Sequence, residues 1–357
     1  MSEPSSRWRF LSRWGSWFPS LLPARAGQSA WGAGDAAVLR TITTSTLAPK
    51  TARTLRFLAI AIAAVIVLSG CAGGFGGDGG FRGDNVQINA ASATAPGTNE
   101  LMIPELLEPT VVGGVNTFDL SLGPSSHDFG TGVLTDTIAY NDQPILGPTL
   151  RWPSGTDVEL RVTNHLEEAT TVHWHGADVP AEDDGGPHSR IDPGQTWIAD
   201  FPVIQPAATL WYHPHLMGTS AEQVFYGAAG MIIVDDDNPA AVDLPRTYGV
   251  DDIPVILQDR EFTTDGQLSF EIDADDNGDL NPDLTVNGTP DPYTTVPAGP
   301  VRLRLLNGSQ ARIYELSANN DSMVKIASDG GYLPSPVPLE TLTIGPGDRA
   351  EIIVDTA

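Results

Sequence analysis

The sequence has 357 residues, enough for two domains and a leader, with a formal net charge of −26 and a single cysteine. The acidic residues are concentrated after residue 70, so phosphate would repel the body of the chain and no nucleic-acid partner is expected. One cysteine excludes an intramolecular disulfide. The 37 glycines and 29 prolines favour an all-β protein rich in turns.

Residues 1–71 are predicted to be a leader, and the true start codon could also lie further downstream. An apolar run spans residues 57–68, and Cys71 follows it. The run is shorter than the about 20 residues of a membrane span and typical of a signal peptide. It resembles a bacterial lipoprotein signal, which implies lipidation of Cys71 and an exported body, anchored in the cell envelope outside the cytoplasmic membrane. A short transmembrane anchor with an incidental cysteine is the alternative.

Residues 72–99 are rich in glycine and alanine and predict a flexible tether. Short alternating runs between turn residues then predict β-strands. An internal echo pairs the turn at 153–155 with that at 297–299, and residues 191–194 with 344–347. Two copies of one β-sandwich are the simplest account, the first over residues 100–238 and the second over residues 239–357.

Two short motifs carry the chemistry, His173-Trp174-His175 and His213-Pro214-His215. Side chains alternate along a strand, so the two histidines of each motif are expected on one face. Imidazole binds copper, zinc, iron and nickel. Four imidazoles without a thiolate or carboxylate in the motif favour copper, although a single zinc ion is also compatible with them.

These motifs resemble the bacterial three-domain multicopper oxidases of the laccase, bilirubin-oxidase and cuprous-oxidase type. The resemblance implies tandem cupredoxin-like Greek-key β-sandwiches and half of a trinuclear copper centre. His173 then matches the type 2 copper ligand, and the type 3 ligands are matched by His175, His213 and His215. Asp184 matches an acid that orients solvent and delivers protons at the cluster; a plain turn residue is the alternative. The second copy has no matching ligands.

The family's type 1 copper site needs a cysteine, and the only one here is Cys71 in the leader. The expected reading is therefore the N-terminal part of an oxidase that lacks its third cupredoxin domain and is inactive alone. The complete enzyme would couple one-electron oxidation of a phenol, pigment or metal ion to reduction of molecular oxygen to water. A copper-binding or scaffold protein without oxidase activity is the competing function. The acidic segment 273–279 resembles a calcium loop but lacks the closing acid, so a solvated hairpin tip is favoured.

Overall fold

The computed structural model describes residues 97–236, 238, 241, 243–271, 278–318 and 323–356. The leader with Cys71, the tether up to residue 96 and residues 273–277 of the acidic segment lie outside the described residues. Across the described ranges the only α-helix is α1 (Ser220–Tyr226), and no helix there has the length and apolarity that a membrane crossing requires. The predicted all-β class is confirmed.

Residues 106–235 form two sheets that we call the first sandwich. Its alternating strands bury one face, as in Asp157–Asn164, where every second side chain is buried. One sheet has the order β2 (Leu106–Leu107), β6 (Thr149–Pro153), β11 (Gly230–Asp235), β10 (Ala208–His213), β8 (His173–His175). The other has the order β3 (Thr110–Val112), β4 (Val115–Asp128), β7 (Asp157–Asn164), β9 (Thr196–Pro202), with β5 (Leu134–Tyr140) paired to β4.

Residues 252–355 form a second layered unit, which we call the second sandwich. Its large sheet has the order β14 (Thr289–Pro290), β13 (Asp283–Val286), β12 (Asp252–Arg260), β16 (Pro300–Asn307), β21 (Arg349–Asp355), β18 (Met323–Ser328), β19 (Gly331–Leu339). A two-stranded sheet of β17 (Tyr314–Ser317) and β20 (Thr341–Ile344) covers the same apolar core. The boundary at residues 238 and 239 stays a prediction.

The segments that repeat in the sequence make the same hydrogen bonds in both sandwiches. Asn164 ends β7, and its amide donates to the carbonyls of Glu168 and Ile191 at 2.8 and 2.9 Å. Asn307 ends β16, and its amide donates to two carbonyls at 2.7 and 3.0 Å, those of Arg312 and Ile344. The backbone carbonyl of each asparagine also accepts a hydrogen bond, at 2.8 Å, from the backbone N–H of the glycine that closes the echoed turn, Gly194 or Gly347. Repeated buried bonds of this kind indicate two copies of one fold.

A shared apolar cluster joins the two sandwiches. Trp211 and Met231 of the first sandwich belong to the same buried cluster as Ile256 and Leu306 of the second. Burial of such side chains contributes about 1.5–3 kcal/mol each, so this cluster is a substantial part of what holds the two units together.

Four charged side chains of β12, β16 and β21 are buried, and we call them the ion network: Asp252, Arg302, Arg304 and Glu351. Arg304 donates to both carboxylate oxygens of Asp252, at 2.7 and 2.9 Å, and to Oε1 of Glu351 at 3.1 Å. Burial opposes the ionised form of Glu351, but Arg304 and Arg302 outweigh it and hold the pKa of Glu351 below its ordinary value. The network is therefore charged and paired.

The predicted end of the tether at residue 99 falls inside a strand. Asn99 and Glu100 form β1 (Asn99–Glu100), which pairs in parallel with β15 (Pro292–Tyr293). The backbone N–H of Thr98 donates to the carbonyl of Asp291 at 3.0 Å, and Leu101 and Ile103 pack on the core of the second sandwich. The chain therefore contacts the second sandwich before it enters the first.

Candidate metal centre

The two histidine motifs lie on neighbouring antiparallel strands at the edge of one sheet. His213 on β10 is directly across from His173 on β8, and His175 is across from Trp211. Along β8 the central Trp174 is buried in the core, while the flanking His173 and His175 are partly exposed on the other face. The alternation expected for this motif is confirmed, whereas in the second motif β10 ends at His213 and Pro214 and His215 follow the strand.

Three of the four histidines form a compact group. One ring nitrogen from each of His173, His175 and His213 lies within 4.8 Å of the others. Nδ1 of His175 is 3.2 Å from Nε2 of His213. Two nitrogen–metal bonds of about 2.0 Å can span up to about 4 Å, so this separation fits two ligands on one ion.

His215 stands at the margin of this group. Its ring centroid is 5.1 Å from that of His173 and 5.9 Å from that of His213. The side chain is exposed, and its backbone N–H donates to Oγ1 of Thr171 at 2.6 Å. The structure therefore brings His215 beside the other three, on the solvent side.

Hydrogen bonds at the second ring nitrogen define which nitrogen is free to bind a metal. Nδ1 of His213 is 2.8 Å from the carbonyl of Pro214, and Nδ1 of His173 is 2.9 Å from the carbonyl of Asp184. A carbonyl only accepts, so both Nδ1 atoms carry the proton and both Nε2 atoms keep a lone pair. Ligating histidines in proteins are oriented in the same way.

Burial keeps the imidazoles of His175 and His213 neutral. It lowers the pKa of His213 to about 3, with a further contribution from the neighbouring histidines. It also lowers the pKa of His175 to about 4, helped by the positive charge of Arg349. Neutral imidazole is the form that binds metals, so these donors are ready at neutral pH. The donor set fits copper.

The loop at residues 183–185 positions His173. The carboxylate Oδ2 of Asp184 is 3.2 Å from Nδ1 of His173, in addition to the backbone contact. The carbonyl of Asp183 accepts from Nε1 of Trp174 at 3.0 Å. The Asp184 carboxylate thus lies against a candidate ligand; its predicted role in proton delivery stays a prediction.

We expect Asp184→Asn to lower copper(II) affinity about 10-fold, because partners behind metal-binding histidines typically contribute 10–100-fold. The backbone carbonyl of Asp184 remains in place, so the protein should stay folded. Asp183→Asn is the matched control, since Asp183 contacts the site only through its backbone carbonyl. Isothermal titration of both variants checks this, and equal affinities would contradict it.

Sequence reasoning missed several residues that support the histidines. Trp211 stacks on His213 with ring centroids 3.9 Å apart, and Thr171 binds the backbone of His215. The buried amide of Gln223 on α1 accepts from Thr170 at 2.8 Å and so anchors the segment before His173. Trp211 is adjacent to the motif and could have been suspected, but Gln223 carries no sequence signal because its contact depends on tertiary packing.

Comparison with known proteins finds multicopper oxidases and a group of cell division proteins. The sequence profile of the multicopper oxidase family matches residues 124–239. The chain is 38% identical over 264 residues to the multicopper oxidase mco of Staphylococcus aureus, covering 73% of this chain and 58% of that protein. It is also 42% identical over 210 residues to the cell division protein FtsP of Proteus mirabilis, covering 58% of this chain and 44% of that protein.

Solved structures agree with the sequence matches. A multicopper oxidase from Pediococcus acidilactici superposes with a TM-score of 0.69 at 37% identity, covering 73% of this chain and 56% of that one. The chain thus spans somewhat over half the length of these relatives. The expected tandem cupredoxin-like fold is confirmed by these neighbours. This chain belongs to the multicopper oxidase family.

Proposed function

We propose that this chain carries half of a trinuclear type 2 and type 3 copper centre, held by His173, His175, His213 and His215. The observation that carries the proposal is the group of three imidazole nitrogens within 4.8 Å of one another. In a complete centre, copper held by these histidines would pass electrons from the reducing substrate to oxygen. The histidines of this chain present lone pairs, the carbonyls of Asp184 and Pro214 fix the ring tautomers of His173 and His213, and Trp174 is buried on the other face of β8.

In the complete oxidase, the remaining ligands would come from a third cupredoxin domain, which would also carry the type 1 copper. The complete enzyme would oxidise a small reducing substrate, a phenol, a pigment or a metal ion, with molecular oxygen as the acceptor. Lipidation at Cys71 would anchor it in the bacterial cell envelope, outside the cytoplasmic membrane. The support for these statements is the family relationship and the leader pattern.

The full chain, loaded with copper under reducing conditions, is expected to bind one to about two copper ions and to show almost no oxidase activity, because its one cysteine, Cys71, is predicted to lie in the leader and the two sandwiches offer no thiolate for a type 1 site. His213→Ala should lower copper affinity by more than the about 10–100-fold typical of an outer partner, since it removes a ligand. Mass spectrometry measures how much copper each protein holds, and oxygen uptake with a phenolic substrate measures the oxidase activity.

His165→Ala is the matched control, because His165 is exposed at the end of β7, in the opposite sheet of the first sandwich. Equal copper binding in the two variants, or none in the unmodified chain, would refute the half-centre. Oxygen uptake that depends on the phenol would refute the expectation that the chain alone is inactive.

The second candidate function is a scaffold without oxidase activity. Identity of 42% to a cell division protein over 210 residues favours it. The grouped histidines favour the copper centre instead, because a pure scaffold does not need converging imidazole lone pairs. Absence of copper from the purified full chain after loading would shift the assignment to the scaffold.

A further inference from the structure

The face of β10 that carries His213 is covered by the second sandwich. Thr209, Trp211 and His213 are two residues apart and therefore point to the same side of the strand. Trp211 packs in the apolar cluster shared with the second sandwich. Oγ1 of Thr209 donates to Oε1 of Glu351 at 2.7 Å and accepts from Arg304 at 3.0 Å. A candidate ligand strand is thus anchored by a unit that supplies none of the four histidines.

Arg349, the first residue of β21, adds a second set of anchors to β10. Its Nε donates to the backbone carbonyl of Thr209 at 3.1 Å, and its Nη1 donates to the carbonyl of Gly347 at 2.9 Å. Asp329 pairs with the same guanidinium, with Oδ1 3.1 Å from Nη1 and its carbonyl 3.2 Å from Nη2. The Arg349 side chain is 5% exposed, so these bonds are shielded from water.

The turn that Arg349 holds lies against a candidate ligand. A methyl group built on Gly347 would be 3.4 Å from Cε1 and 3.8 Å from Nε2 of His175. On the other side, Nη2 of Arg349 comes so close to Gly176 that a side chain there would meet it at 2.4 Å. The Gly347 turn therefore packs against the ring of His175, and the next residue, Gly176, contacts the guanidinium of Arg349.

We propose that Arg349 is a positioning residue of the copper half-centre, which fixes β10 at Thr209 and holds the Gly347 turn against the ring of His175. The inference rests on the proposed function for its copper-dependent part only. A planar guanidinium with several fixed donors can bridge three carbonyls and a carboxylate at once, which the single ammonium of lysine cannot do. The second sandwich thereby takes part in the site without supplying a ligand.

The test compares Arg349→Met, Arg349→Lys and Arg312→Met in the full chain. Arg312 is a matched control, because it is equally buried and pairs with Asp259 at 2.8 Å, away from the β10 contacts. The first measurement is the ring nitrogen and carbon resonances of His175 and His213 in the metal-free protein, well below its unfolding temperature. The second is copper affinity by titration.

Arg349→Met is expected to shift the resonances of both histidines and to lower copper affinity about 10–100-fold. Lysine should restore part of each effect, whereas Arg312→Met should lower stability without changing either. Unchanged resonances in folded Arg349→Met would overturn the inference, whether or not the protein binds copper. Shifted resonances in a protein that never binds copper would support the positioning and refute the copper assignment.

A second pair of variants applies if Arg349→Met does not fold. Gly347→Ala and Gly194→Ala change echoed turns with similar φ angles, +79° and +75°, so their backbone costs match. Only the methyl group at position 347 would contact His175, since the space around Gly194 is open. Shifted His175 resonances in Gly347→Ala alone support the inference, and equal spectra for the two variants contradict it.

Discussion

Replacing Arg304 with methionine is expected to lower the free energy of unfolding by about 3–5 kcal/mol, the usual cost of removing one partner of a buried ion pair. Asp252 is fully buried, and both of its carboxylate oxygens accept from Arg304. Arg302 can replace little of this, because its Nε is 4.0 Å from Oδ1 of Asp252. The variant therefore leaves a carboxylate without a close cationic partner. Urea denaturation followed by circular dichroism measures the loss.

Two further variants show whether the unpaired charge is the cause. Adding Asp252→Leu to Arg304→Met should recover most of the lost stability, because an apolar pair of similar volume needs no partner. Arg190→Met removes the exposed pair of Arg190 with Asp192 and should cost under about 1 kcal/mol. The prediction fails if Arg304→Met costs no more than Arg190→Met.

Gly185→Ala is expected to lower the free energy of unfolding by about 2–5 kcal/mol, the sum of a left-handed backbone cost and overpacking. Gly185 has a φ of +72°, and a methyl group there would be 1.6 Å from the carbonyl oxygen of Val172 and 3.1 Å from Cα of His173. Neither atom can retreat, because both belong to the backbone that leads into β8. The loop must move instead, and with it the Asp184 carbonyl that holds the His173 ring.

Copper affinity should therefore fall together with stability in Gly185→Ala, by about 10-fold or more. Gly194→Ala separates the two causes, since Gly194 has a φ of +75° with open space around it and lies in a turn away from His173. It should show the backbone cost alone, about 1–2 kcal/mol, with unchanged copper affinity. Denaturation and titration of the two variants side by side make the comparison; retained affinity in Gly185→Ala would contradict it.

The sequence was sufficient for features with local causes. The strand period alone placed His173 and His175 on one face with Trp174 behind them, and the structure agrees. The echoed turns revealed the repeat because each copy needs its own closing glycine, such as Gly194 and Gly347.

Features that depend on packing between units could not be predicted. Arg349 is 136 residues from His213, and nothing in its surroundings in sequence indicates that it binds β10. The carbonyl contact of Asp184 with His173 was also missed, because a backbone atom leaves no trace in residue type. The positions of these residues follow from how the second sandwich and the loop pack on the strands.

The pairing of β1 with β15 has a consequence for how this protein folds. The hydrogen bonds of Thr98 with Asp291 join residues 193 positions apart. Contacts between residues so distant in sequence carry a large loop-closure entropy and slow the search for the native topology. During synthesis from the N-terminus, residues 97–103 must wait until the hairpin around residue 290 has been made. The contacts of the opening segment would then form late, and the segment would be exposed to proteases until the hairpin has been made.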